Sequence, residues 1–102
     1  MNDALKEILS KHIEGPKNYE TVREMRRLRP TEADFTDELF DCFDANGRRM
    51  IYTMLIAADY SVALSVLEHR ISTETDKNCK RKAQFMLGVM KDNPPTTALG
   101  NQ

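Results

Sequence analysis

The sequence predicts an all-α protein, a compact single-domain bundle of five or six helices around a buried central helix or helical hairpin at about 48–71. Apolar residues recur at spacings of three and four along most of the chain, whereas strict apolar/polar alternation is nearly absent. Charged residues make up 30% of the chain, yet the stretch from Met50 to Leu67 carries one formal charge, Asp59. Because a helix without a polar face has to be surrounded, this stretch is predicted to be the centre of the core. A length of 102 residues fits one such core.

The first two predicted helices are amphipathic and have recognisable start and stop residues. Asn2 or Asp3 can cap the first helix, and the pair Gly15-Pro16 ends it. Asn18 can cap the second helix, which ends before Pro30 because proline disfavours a helical conformation in the residue that precedes it. The residues predicted to face the core are Leu5, Ile8, Leu9, His12 and Ile13 in the first helix and Val22, Met25 and Leu28 in the second.

A third helix is predicted to start at Thr31 and to end at Asn46-Gly47, a strong terminator. Its core-facing residues are predicted to be Phe35, Leu39, Cys42 and Phe43. The central block that follows, 48–71, contains neither glycine nor proline. It is therefore either one long helix or two helices that are broken near Asp59–Ser61.

A final helix is predicted from Glu74 to Lys91, with Thr73 as its cap. Gly88 lowers the stability of its last turn by about 1 kcal/mol relative to alanine. The residues predicted to face the core are Cys79, Ala83, Met86, Leu87 and Met90. Residues 1–91 thus form the helical domain, and 92–102, which lack a core face, are predicted to be a flexible C-terminal tail.

Composition narrows the classes of function. A net charge of −1 and a pI near 6.1 argue against a surface built entirely for nucleic acid or anionic membrane. No apolar run reaches the roughly 18 residues that a membrane span needs, and the N-terminus lacks the apolar region of a signal peptide. Cys42 and Cys79 are far apart in sequence and are predicted to be a reduced, buried pair. We therefore expect a cytoplasmic protein with no membrane partner.

One segment, Leu55 to Ile71, resembles the helix-turn-helix family. Ala57 falls where that motif has a small residue, Ser61 takes the place of the usual turn glycine, and Leu67 sits at a buried position of the second helix. The residues that the resemblance would place in the major groove are Ala63, Leu64, Ser65, Glu68 and His69, with Lys80, Arg81 and Lys82 on phosphates. Arg70 stands where the motif usually has an apolar residue, and no Arg, Asn or Gln lies on the reading face. The alternative is a buried helix or helical hairpin whose alanines permit close packing.

Charge is segregated along the chain. Between Thr31 and Gly47 there are six acidic residues and no basic one, and several step by three and four as on one helical face. The candidate partner-binding residues on this acidic ridge are Asp34, Asp37, Glu38, Asp41 and Asp44. A second candidate face is basic and consists of Arg23, Arg26, Arg27 and Arg29. Such faces either carry weak surface ion pairs, worth about 0–1 kcal/mol each, or steer a partner of opposite charge.

No pattern of catalytic or metal-binding residues is found. Aligning the segment around Asp44 with a calcium-binding EF-hand loop puts Cys42 at the first ligand position and Thr53 at the last, so two essential ligands are missing. His12 lies on an apolar helix face, and neither cysteine has a zinc-ligand partner at short spacing. The four glycines are scattered rather than grouped into a phosphate-binding loop. We therefore expect no catalytic residues, no metal and no cofactor.

The hypothesis that remains is a non-catalytic protein–protein interaction module. A small regulator or inhibitor of this kind would dock on a larger partner, which could itself handle nucleic acid, through charged helical faces. The alternative is a small DNA-binding transcriptional regulator that uses residues 55–71. Self-association into a homodimer is a third hypothesis.

Overall fold

The computed structural model describes residues 1–15 and 19–95, and within these ranges the chain is helical and has no strand. The predicted all-α bundle is confirmed. The α-helices are α1 (Asp3–Glu14), α2 (Tyr19–Leu28), α3 (Asp37–Asp41), α4 (Ala45–Met54), α5 (Tyr60–Thr73) and α6 (Lys77–Asp92), and 3-10 turns lie at Glu32–Asp34 and Leu55–Ala57.

Helices α1 and α2 have the predicted limits and pack against each other. The Asn2 side chain caps α1, because its Oδ1 accepts a hydrogen bond from the Leu5 N–H at 3.0 Å. Asn18, the predicted cap of α2, lies outside the described residues. The last turn of α2 is closed by Arg29, whose N–H donates to the Met25 carbonyl at 3.1 Å. Arg29 has a φ of 50°, a left-handed conformation that ends the helix directly before Pro30.

The predicted third helix is divided into a 3-10 turn, the short helix α3 and the start of α4. Its division follows from side chains that cap new helices. The Thr36 hydroxyl accepts a hydrogen bond from the Leu39 N–H at 3.1 Å, and Asp44 Oδ1 accepts one from the Gly47 N–H at 2.8 Å. Asn46-Gly47 therefore lies in the first turn of α4, so its prediction as a terminator is wrong. Cys42 is exposed, and its predicted burial is wrong too.

The central block consists of two helices. Helix α4 passes into the 3-10 turn at Leu55–Ala57, and the non-helical residues Ala58 and Asp59 separate this turn from α5. Both α4 and α5 pack on α6, so each has a neighbour along the face it buries. Most of the apolar side chains predicted at the centre are buried there: Ile51, Tyr52, Met54, Leu55, Ala63, Val66 and Leu67. Ile56 is exposed over 56% of its surface, and Met50, Tyr60, Val62 and Leu64 are half-buried.

Helix α6 begins three residues later than predicted. Thr73 is the last residue of α5 rather than a cap of α6, and Glu74 follows it as a buried residue outside any helix. The cap of α6 is Asp76, whose carboxylate accepts a hydrogen bond from the Cys79 N–H at 2.9 Å. The predicted core face of α6 holds, because Cys79, Ala83, Met86 and Met90 are buried and Leu87 packs against the core.

At its C-terminal end the chain leaves α6 at Asn93. Most of the predicted tail, residues 96–102, lies outside the described residues. In the part of the chain that the structure describes, none of the helices combines the length and the apolar character needed to cross a bilayer.

Candidate functional site

The acidic residues of the predicted ridge do not share one helical face. Asp34 belongs to a 3-10 turn, Asp37, Glu38 and Asp41 belong to α3, and Asp44 is the cap of α4. Because the helix is interrupted twice between Asp34 and Asp44, a spacing of three and four no longer aligns these side chains. The prediction of a single acidic ridge is wrong.

Three of these five carboxylates are engaged within the molecule. Asp34 accepts a hydrogen bond from the Thr31 N–H at 2.8 Å, and this bond lowers the pKa of Asp34. Asp44 caps α4. Asp37 accepts from His69 Nε2 at 3.0 Å and from Arg70 Nη1 at 3.0 Å.

The hydrogen bond from His69, and then that from Arg70, lower the pKa of Asp37. Glu38 and Asp41 remain exposed, and neither side chain forms an ion pair within residues 1–15 and 19–95. Of the five predicted acidic residues, Glu38 and Asp41 are therefore the two that could bind a partner without breaking a contact within the described residues.

The centre of the molecule contains an ionic network that connects α4, α5 and the segment before α6. The Glu74 side chain is 0% exposed and lies between two arginines. Arg48 Nη2 lies 3.1 Å from Oε2, and Arg70 Nη2 lies 3.1 Å from Oε1. The Tyr52 hydroxyl donates to the same carboxylate, and the Asp76 N–H donates to it at 3.0 Å. Both carboxylate oxygens of Glu74 thus accept hydrogen bonds.

At neutral pH the Glu74 carboxylate is ionised and the Tyr52 hydroxyl is protonated. Burial by itself would raise the pKa of Glu74, but the hydrogen bonds from Arg48 and Tyr52 outweigh it and lower the pKa to about 2. Burial, followed by the hydrogen bond to Glu74, raises the pKa of Tyr52 above its ordinary value. Arg70 also stacks on the Phe40 ring, 4.5 Å from the ring centroid. Glu74 is therefore ionised at neutral pH, and its ion pairs with Arg48 and Arg70 connect α4 and α5.

Sequence reasoning missed this network. Nothing in the local pattern marks Arg48 as an internal residue, and Arg70 stands out only as a departure from the helix-turn-helix pattern. The spacing of four between Arg70 and Glu74 was the available signal, since such a pair can meet on one helix. This spacing was not recognised, because a helix predicted to start at Glu74 places Arg70 and Glu74 on different helices.

The residues that the helix-turn-helix resemblance would place in a DNA groove do not form a common exposed surface. Ala63 is 0% exposed and belongs to the core, so its predicted role is wrong. Ser65 is half-buried, as is Leu64, whereas Glu68 and His69 are exposed. Ser61 lies in the first turn of α5, and the chain bends at Ala58–Asp59 instead, so the predicted turn is also misplaced.

The three basic residues at the start of α6 lie on different sides of that helix. Successive residues of a helix are rotated by about 100°, so Lys80, Arg81 and Lys82 cannot share one face. Lys80 and Arg81 are exposed, whereas Lys82 is half-buried and lies over the Phe85 ring at 5.6 Å. The predicted joint grip on phosphates is not supported by this arrangement.

The arginines of α2, in contrast, form one surface. Arg23, Arg26 and Arg27 are spaced by three and four, so they lie on the face of α2 opposite the buried residues Thr21 and Met25. Arg29 directly follows the helix, and all four arginines are exposed. We call this set, Arg23, Arg26, Arg27 and Arg29, the α2 arginine surface.

Little of the charge on this surface is neutralised. Arg23 lies 3.7 Å from Glu20, and Arg29 lies 3.7 Å from Asp59, both at the long end of ion-pair distances. Arg26 and Arg27 form no ion pair with any of the described residues. An exposed guanidinium group without an ion pair can form bidentate hydrogen bonds with a carboxylate or a phosphate.

A groove adjoins the α2 arginine surface. One wall is the end of α2 with Arg26, Arg29 and Pro30, and the other is the turn that carries the exposed Ile56 together with Ala58 and Tyr60. This part has a volume of about 340 Å³. It continues past Ile56 into a second hollow of about 260 Å³, which Val89 and Pro95 line on the far side. We call the two parts together the Ile56 groove.

The cysteines and His12 do not form a chemical centre with other side chains. Both thiols are free, but Cys79 is buried, and burial raises its pKa to about 11, so the thiol is protonated at neutral pH. His12 Nδ1 lies 2.8 Å from the Thr21 hydroxyl. Across residues 1–15 and 19–95, no three His, Cys, Asp or Glu side chains are grouped so that they could hold a metal ion.

Comparison with known proteins found no match to a protein-family model, to a curated protein or to a solved structure.

Proposed function

We propose that this protein is a non-catalytic interaction module, a small regulator or inhibitor that docks on a larger protein through the α2 arginine surface. The observation that carries the proposal is the exposure of four arginines around one helix, two of which have no acidic partner in the described structure. Charge of this kind speeds up association with an acidic surface and disfavours basic ones.

The internal use of the acidic residues supports the choice of the basic face. Asp34 and Asp44 are capping residues, and Asp37 is bound to His69 and Arg70. If a partner took over any of these carboxylates, a helix end or an ion pair would be lost. Arg26 and Arg27 can be bound without any such loss, since they make no ion pair with described residues, and the ion pairs of Arg23 and Arg29 are long and solvent-exposed.

The experiment is affinity capture from an extract of the native cell, with the tagged wild-type chain and the variant R23Q/R26Q/R27Q. We expect the wild-type chain to retain a protein partner at about 50 mM salt, and the variant to retain at least about tenfold less, because its steering charge is gone. The matched control is E38Q/D41N, which changes two exposed, unpaired acids and should retain the partner at the wild-type level.

Two outcomes would overturn the proposal. One is a loss of the partner in E38Q/D41N but not in the arginine variant. The other is a loss of capture after nuclease treatment, together with steeply salt-dependent binding of purified protein to duplex DNA, which would assign the surface to nucleic acid. Circular dichroism of each variant checks that the helical bundle is intact.

We also propose that the protein acts in the cytoplasm. The two free thiols support this location, because disulfides are rare in a reducing compartment.

A further inference from the structure

We propose that the Ile56 groove binds an acidic segment of the partner, with one large apolar side chain seated against Ile56 and flanking carboxylates paired with Arg26 and Arg29. This inference rests on the function proposed above and names the chemistry that the site would recognise. The occupant is a short peptide segment that combines acidic and apolar residues.

Ile56 is the apolar residue at which the two hollows of the groove meet. It lies in the 3-10 turn between α4 and α5 and is 56% exposed, although its neighbours Leu55 and Ala57 are buried. Two hollows meet at Ile56, and together they extend from the end of α2 to the end of α6. A volume of about 340 Å³ in the first hollow falls within the range of roughly 300–1,000 Å³ that is usual for ligand sites. An apolar side chain seated in the first hollow would cover the side of Ile56 that faces Arg26 and Arg29.

The rim of the Ile56 groove carries two arginines, Arg26 and Arg29. Arg26 has no ion pair among the described residues, and Arg29 is 75% exposed with its nearest acid, Asp59, at 3.7 Å. Asp59 is the acidic residue that lines the groove, so the rim has an excess of positive charge. The left-handed backbone of Arg29 fixes the direction in which its side chain leaves the end of α2. The exposed Ile56 thus lies between a hollow with two arginines and a more apolar hollow lined by Val89 and Pro95, an arrangement complementary to a segment that is both acidic and apolar.

The test uses a fluorescein-labelled peptide of about twelve residues, with two central leucines between glutamates, and measures its anisotropy against the full chain at about 50 mM salt. We expect saturable binding that weakens at least about tenfold in R26Q/R29N and in Ile56→Ser. Asparagine is chosen at position 29 because it tolerates a positive φ better than other side chains apart from glycine. Substitution of R23Q/R27Q, which leaves the groove intact, should change the affinity less than about twofold.

Matched probes separate the occupants. Peptides with the leucines changed to serine, or the glutamates to glutamine, should each bind at least about tenfold more weakly. Equal binding of the leucine-free peptide would overturn the proposal, since charge alone would then account for the affinity. Tighter binding of an oligothymidylate of equal charge would do so in favour of nucleic acid. Self-association in sedimentation equilibrium that Ile56→Ser abolishes would assign the groove to a second copy of the chain.

Failure of this inference can be told apart from failure of the proposed function. If the captured partner is lost in R23Q/R27Q but retained in Ile56→Ser and R26Q/R29N, the α2 arginine surface stands and the groove has no part in binding. If no arginine variant affects capture, the proposed function itself fails. Ile56 and Arg26 are exposed, so we expect every variant to keep the wild-type urea midpoint.

Discussion

The Glu74 side chain connects several helices. Its carboxylate receives hydrogen bonds from Arg48 and Tyr52 of α4, from Arg70 of α5 and from the backbone of Asp76 before α6. Arg70 in turn reaches Asp37 of α3. When one partner of a buried ion pair is removed, the charge left behind remains desolvated and uncompensated. Two arginines would be left in that position here.

Glu74→Gln is therefore expected to lower the free energy of unfolding by about 3 kcal/mol. The measurement is urea denaturation followed by circular dichroism. The matched control is Glu68→Gln, because Glu68 is 58% exposed and lies 3.8 Å from Lys91. The control should cost less than about 0.5 kcal/mol. Similar losses in the two variants would show that the network contributes no more than a surface pair.

At the scale of the element, side-chain caps set the helix boundaries. Asn2, Thr36, Asp44 and Asp76 each accept a hydrogen bond from a backbone N–H three residues later. A cap of this kind satisfies an N–H group that has no partner within the helix and stabilises it by about 1 kcal/mol. With several caps so close together between 31 and 47, short helices replace the single long one.

Gly88 gives a prediction about α6. It lies inside the helix, and apart from its chain neighbours and the backbone of α6 no atom lies within 4 Å of a Cβ built on it. Gly88→Ala should raise the free energy of unfolding by about 0.5–1 kcal/mol, because alanine loses less conformational freedom in a helix.

The matched control for Gly88→Ala is Gly47→Ala in α4. A Cβ at Gly47 would lie 3.2 Å from Phe43 Cβ and 3.4 Å from Ile13 Cδ1, so any gain in helix propensity is offset by crowding. Thermal denaturation of both variants should give the larger stabilisation for Gly88→Ala. The reverse order would contradict this account of the two glycines.

For the whole molecule, the charges fall into two groups with different roles. The buried group around Glu74, together with the capping carboxylates, stabilises the bundle. The exposed arginines of α2 contribute little to folding, since their ion pairs are long and solvent-accessible. This division predicts that the stability of the protein depends on pH chiefly through its carboxylates.

We expect the urea midpoint to fall as the pH drops from about 4.5 towards 2. Carboxylates with a lowered pKa stabilise the folded state above their unfolded pKa, and this contribution is lost as the pH falls through the folded value. For Glu74 that window runs from its ordinary value of 4.5 to about 2, and Asp37 acts in the same direction. Tyr52 affects the stability at alkaline pH. Because its pKa is raised on folding, its contribution is lost as the pH rises above about 10.

The variant Glu74→Gln provides the control for the pH dependence. It lacks the group with the largest acid contribution, so its midpoint should vary less with pH between about 5 and 3 than that of the wild type. An equally steep loss in both proteins would show that the other carboxylates alone account for acid unfolding.

Some features of the candidate site were predictable from the sequence. The spacing of Arg23, Arg26 and Arg27 placed them on one helical face, and α2 presents them in that way. The acidic set failed the same test, because spacing has this meaning only within an uninterrupted helix. The Ile56 groove was not predictable, because Arg29 and Ile56 are far apart in sequence and meet only where α2 passes the α4–α5 turn.

The sequence by itself determined the helical fold class, the end of α1 at Gly15, and the burial of most of the central block, because these depend on local patterns of polarity and capping. Tertiary structure decided which charges are internal and which face the solvent. Arg48 and Arg70 look like surface residues along the chain, yet both close on Glu74 once α4 and α5 pack on α6. A buried charge requires partners of opposite charge, and Arg48, which is 26 residues from Glu74 in sequence, reaches it only in the packed bundle.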